Sequence, residues 1–183
     1  MSTPTRSTTA STVIANQPSP KQLFLDAYHR EHLTTMRVLR SYPPDKLDLR
    51  PHPRCKTARE LAWIFVLERG LGTKVLKGEF GAVPSGGSSP PQPPESWDDL
   101  LAALEKVSDE YAAFVRQLPE YELYGPVKFM VGPKKLGDWR RIDFLWFLLH
   151  DQIHHRGQFS VYLRMADGKV PSIYGPSGDE PWT

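Results

Sequence analysis

The sequence predicts an all-α protein, a four-helix bundle with long crossover connections. Two observations carry that prediction. Apolar residues recur at spacings of three or four in four separate segments, each bounded by capping residues or helix breakers. Two of the joining stretches are long and rich in Pro, Gly and Ser, enough to cross an end of the bundle and let neighbouring helices run parallel.

Residues 1–18, MSTPTRSTTASTVIANQP, are rich in Ser, Thr and Pro and read as a flexible tail. They lack the apolar core of a secretory signal. Residues 19–183 form the bundle with a C-terminal extension. The first helix is expected over about 19–41, with Phe24, Tyr28, His32, Thr35 and Leu39 on one face. Four prolines in SYPPDKLDLRPHPRCK end it. The second begins at Thr57, which with Glu60 makes a capping box. Gly78 stops it near residue 77. The third is capped by Ser96 and keeps its beat through Trp97, Leu100, Leu104, Tyr111 and Val115, until Pro119. Residues 120–137 hold three glycines and two prolines and are expected to be irregular. The fourth is expected from Asp138, as N-cap, to about Ala166, with Gly168 as its stop.

The 183 residues suit one domain with a substantial core. A net charge of +2 with 24% charged residues gives no basic stripe, so no nucleic-acid partner is expected. No apolar run is long enough to span a bilayer, and no membrane association is expected. The single Cys55 cannot form an internal disulfide, and a cytoplasmic location is the expectation.

The chemistry concentrates in HDQIHHRGQFSVYLR, residues 150–164. Each helical residue turns the chain by about 100°. His150 and His154 therefore share a face, and their imidazoles can converge on one ion. His155 lies a further 100° round and aligns with Asp151. It is either a support for the ligands or a packing residue.

HDQIHHRGQFSVYLR followed by VPSIYGPSGDE, with KTARELAW at the start of the second helix, resembles the DinB-like proteins of the DinB/YfiT group. The likeness runs over about residues 20–180. It implies an up-down-down-up four-helix bundle, a homodimer, and a divalent metal, often nickel or zinc, held by three histidines. Two of these match His150 and His154. The third would come from the second helix, where this chain has Ile64. The resemblance thus implies an incomplete site, with Glu68, four residues beyond Ile64, or His32 as replacement ligand. Asp151, His155 and Arg156 would orient ligands or substrate.

Two functions follow. One is a metal-dependent enzyme of thiol-dependent transferase or hydrolase type. The other is a non-catalytic bundle with a degenerate metal site, which binds a small apolar ligand or serves as a structural or stress-response scaffold.

Overall fold

The structure is a computed structural model and describes residues 17–81 and 91–182. The tail assigned to residues 1–18 lies almost wholly outside the described residues, as does most of the connection between the second and third helices.

Four helices carry the fold: α1 (Pro20–Arg40), α2 (Ala58–Leu76), α3 (Trp97–Gln117) and α4 (Arg141–Met165). Their starts follow local chemistry. Ser19 accepts from Gln22 N–H, and Pro20 supplies a residue with no N–H to satisfy. Thr57 and Glu60 form the reciprocal capping box at α2. Ser96 accepts from Asp99 N–H at α3. Gly78, at φ +75°, closes α2, its N–H on Val75 O and Glu79 N–H on Lys74 O. At the end of α4 the left-handed position is taken by Asp167, at φ 61°, not by Gly168. Asp tolerates that conformation.

Contacts fix the helix directions. Phe24 meets Trp146 and Glu31 meets Arg156, so α1 and α4 run parallel. A Cβ on Gly72 would lie 2.5 Å from Leu148, while Tyr162 reaches back to Lys56, so α2 and α4 are antiparallel. Lys21 bonds the carbonyl of Leu118 and Tyr28 that of Ser108, so α1 and α3 are antiparallel too. The helices form the ring α1–α3–α2–α4 in up-down-down-up order, as expected.

One element was not expected. Pro126–Gly132 (β1) and Lys135–Arg140 (β2) form an antiparallel hairpin, with Val127 opposite Trp139. Residues 138–140 therefore belong to a strand, and α4 begins at Arg141 rather than behind an Asp138 cap. The hairpin turns Val127 and Phe129 inward; Phe129 packs on Phe80 and Phe144. Burying these rings is what holds a two-stranded ribbon that would be marginal alone.

The core divides in two. One cluster, around Met36, Phe65, Trp97 and Phe159, lies towards the N-terminus of α2. The other, around Phe24, Tyr111, Phe129 and Phe144, lies towards the hairpin. The C-terminal extension is tied down by polar contacts. Buried Arg156 donates to the Glu31 carboxylate at 2.6 Å and to Tyr174 Oη at 2.7 Å, and Tyr174 donates to Glu31 at 2.8 Å. Asp179 accepts from Arg164 and from Val170 N–H. Arg156, expected near ligand or substrate, is a clamp between α1, α4 and the extension.

Candidate metal centre

The inward-facing pair on α4 is one residue out of phase with the expected one. His150 and His154 are both exposed. His150 lies beside Trp146, and His154 is engaged at Nε2 by Gln158. Asp151 and His155 instead turn towards α2. There Glu68 Oε1 lies 3.1 Å from His155 Nε2, and Asp151 Oδ2 lies 3.9 Å from the same nitrogen. The three donor atoms all fall within 4.8 Å of one another.

The local sequence explains this convergence. Asp151 and His155 are one turn apart on α4, and a 100° step from His150 and His154 carries them from solvent to the α2 side. Close helix contact at Gly72 brings α2 near enough for a short carboxylate to reach across. Glu68 is buried at 9% exposure.

Burial pushes the Glu68 carboxyl above its ordinary range; His155 pulls it back and Asp151 adds to the rise. The hydrogen bond to Glu68 holds the His155 imidazolium up to about 9, against burial and with help from Gln158 and Asp151. The partners do not gain equally. The imidazolium gains a counter-charge, while the carboxylate loses more hydration than one cation restores.

Gln158 completes the arrangement. Its Oε1 lies 3.0 Å from His155 Nδ1 and its Nε2 lies 3.0 Å from His154 Nε2. With the Gln158 amide oxygen accepting from Nδ1–H, the second proton of the His155 imidazolium lies on Nε2, the nitrogen aimed at both carboxylates. A metal would take that position by displacing this proton. The sequence signal for Gln158 was its spacing, three residues beyond His155 and four beyond His154.

The residues fit a divalent ion. Glu68 Oε2 is buried and has no hydrogen-bond partner, a deficit that an ion or its bound water would remove. Two ligands of a tetrahedral ion at about 2.1 Å stand about 3.4 Å apart. The separations from His155 Nε2, 3.1 and 3.9 Å, bracket that value. One imidazole and two carboxylates make a more oxygen-rich set than three imidazoles.

His32, the other candidate replacement, is in a different place. It shares a polar recess with Tyr28, Ser108 and Asp109, between α1 and α3. Its Nδ1 is buried without a partner. Burial and nearby Arg69 lower it to about 4. Arg69 is 1% exposed; it donates to Tyr28 Oη at 3.1 Å and to Phe65 O at 2.9 Å and forms no ion pair among the described residues.

Ile64, where the resemblance places a histidine, lines a cavity of about 480 Å³ beside His155. Leu61 and Val161 extend its apolar wall, Cys55 and Lys56 contribute from the segment before α2, and Tyr162 and Gln158 from α4. The cavity and the carboxylate cluster share the His155 ring.

The model of the DinB family matches residues 9–182. The chain belongs to the DinB family. Among curated relatives, the uncharacterised protein YrdA of Bacillus subtilis is 27% identical over 165 residues, which span 86% of this chain and 89% of YrdA. The fold is shared with a DinB-like protein from Bacillus cereus, at TM-score 0.66 and 22% identity, over 82% of this chain and 95% of the other. It is shared also with the DinB-like protein YjoA of Bacillus subtilis, at TM-score 0.60 and 16% identity, over 81% and 96%. No helix among the described residues is long and apolar enough to cross a membrane.

Proposed function

We propose that this DinB-family protein is a metal-dependent enzyme of hydrolase or thiol-dependent transferase type, with its divalent ion held by Glu68, Asp151 and His155. The observation that carries this reading is the orphaned, buried Oε2 of Glu68 beside an imidazole nitrogen and a second carboxylate. An ion held there supplies Lewis-acid chemistry, lowering the pKa of a water or thiol bound to it.

The chain's own residues do the rest. Glu68 and Asp151 bring two negative charges to a half-dry site, which favours a divalent cation over a proton on Nε2. Gln158 holds the His155 ring at Nδ1 and leaves Nε2 turned to the carboxylates. Leu61, Ile64 and Val161 set an apolar wall beside the His155 ring. Zinc is the first candidate, since imidazole and carboxylate both serve it; manganese would bind more weakly.

The test is metal content of untagged protein, followed by calorimetric titration with zinc, manganese and nickel. Stoichiometric binding that is lost in His155→Ala supports the reading. Negligible affinity for all three metals would favour the non-catalytic alternative, with the cavity as a binding site for a small apolar ligand.

A further inference from the structure

Six Thr, Ser, Gln, Glu and Arg side chains are buried among the described residues: Thr35, Glu68, Arg69, Ser108, Gln152 and Arg156. They are not scattered. On every helix they fall between the stretches that feed the two apolar clusters: between Tyr28 and Met36 on α1, Val66 and Val75 on α2, Leu104 and Tyr111 on α3, and Leu149 and Phe159 on α4. One polar layer therefore crosses the bundle at the division of its core, and all four helices contribute to it. Much of the layer is satisfied from within. Arg156 has Glu31 and Tyr174, Glu68 has His155, and Ser108 Oγ donates to Leu104 O at 2.6 Å.

What remains is one cation and the hydrogen-bonding groups around it. Arg69 donates only to neutral acceptors, Tyr28 Oη and Phe65 O. A guanidinium stays charged at any pH the protein meets, and buried charges are ordinarily paired. The buried or half-buried carboxylates of the layer are committed elsewhere, Glu68 to His155 and Glu31 to Arg156. Tyr111, 1% exposed, leaves its hydroxyl without a partner. Its ring packs on Tyr28 and against Gly72, one turn beyond Arg69. Burial and Tyr28 push the Tyr111 hydroxyl well above its ordinary value while Arg69 opposes them, so it stays protonated and able to donate. Gln152, 3% exposed, has neither amide atom bonded. It stands one turn from Leu148, which meets α2 at Gly72, and one turn from Arg156, which meets α1 at Glu31. It is therefore turned between those helices, at the level of Arg69.

We infer that the centre of this layer binds a small monovalent anion of the halide class, held by the Arg69 guanidinium, the Tyr111 hydroxyl and the Gln152 amide N–H. All three are donors, and an anion is the charged acceptor they lack. Tyr28 and Ser108 carry the layer to the recess between α1 and α3, whose lining they share. Asp26 and Asp109 are exposed in that recess and repel a multiply charged anion more strongly than a monovalent one. The site does not depend on a metal at Glu68, which faces α4.

The test follows thermal unfolding of the full-length protein as chloride replaces gluconate at constant ionic strength, with EDTA present so that the outcome is independent of the metal reading. The melting temperature rises saturably, by about 3 °C or more at a tenfold excess over the half-saturating concentration. Arg69→Met removes the dependence, and Tyr111→Phe raises the half-saturating concentration about tenfold or more. Crystals soaked in bromide show an anomalous peak beside Arg69 and Tyr111. Identical melting in chloride and gluconate, or a layer filled by water alone in the bromide crystals, overturns the inference. So does a chloride effect that Arg69→Met and Tyr111→Phe both leave unchanged, which would be screening of surface charge. Should Arg69→Met fail to fold, Tyr111→Phe and the bromide crystals decide the same question.

Discussion

Two consecutive residues of α2, Glu68 and Arg69, turn to different neighbours, α4 and α1, and organise polar clusters of opposite sign. On the α4 side, Glu68 and Asp151 outnumber the one cation they surround, and His155 is held as an imidazolium up to about 9. On the α1–α3 side, Arg69 lies among Tyr28, Tyr111 and His32 with no carboxylate paired to it, and His32 is driven down to about 4. Burial alone lowers an imidazole. The sign of its neighbour decides whether that tendency is reversed. Surplus negative charge around an accessible nitrogen suits a cation, whereas partial burial beside an unpaired guanidinium keeps His32 neutral in spite of Asp109 in the same recess. Only the first arrangement reads as a metal centre.

The largest break in this contrast comes from Glu68→Gln. It removes the carboxylate that both supports His155 and offers the orphaned oxygen. Losing a group that merely supports a ligand costs about 10- to 100-fold in affinity, so zinc affinity should fall by on the order of 100-fold or more. Unchanged binding in calorimetry would place any ion elsewhere.

The opposite cluster is tested by acid. The His32 pKa in the folded chain lies below its unfolded value of 6.5, so the unfolded chain binds the extra proton first. The stability this histidine contributes is intact above pH 6.5 and declines as pH falls towards 4. Its size is on the order of 1–3 kcal/mol, given partial solvent access. In urea melts across that window, His32→Leu should lose the His32 part of the slope. A variant with the wild-type slope would show that Arg69 and burial do not act on this ring.

Smaller still is Gln158→Leu. It leaves all three donors but frees the His155 ring to turn, and zinc affinity should drop about tenfold. Smallest is His150→Ala, which should change zinc affinity by less than about twofold, because an exposed ring a 100° step from the cluster does not reach it. An effect as large as that of Glu68→Gln would put the ion on the outer face of α4.

That last variant marks where the sequence stopped being legible. The helices of the bundle were readable because their caps and breakers act locally: Thr57 with Glu60, Ser96, Gly78. The facing of α4 was not. Apolar residues are spread all round this helix, from Phe144 and Leu145 through Phe147, Leu148 and Leu149, so no stripe tells which histidine looks inward. A phase error of one residue exchanged His150 and His154 for Asp151 and His155. Glu68 was identifiable only as a carboxylate one turn beyond Ile64, and its role depended on α4's rotation. The hairpin was hidden for another reason. Its turn places Lys134 at φ 57°, a conformation usually signalled by Asn or Gly. The alternation of Val127 and Phe129 was too short to outweigh the surrounding glycines and prolines.

The clamp between Glu31, Arg156 and Tyr174 joins segments 143 positions apart in the chain. A nascent polypeptide emerging amino-terminus first presents α1 long before the groups that neutralise and cover it exist. Closure of this clamp therefore waits until Tyr174 has been made, and until then α1 has α3 to pack on but neither α4 nor the extension.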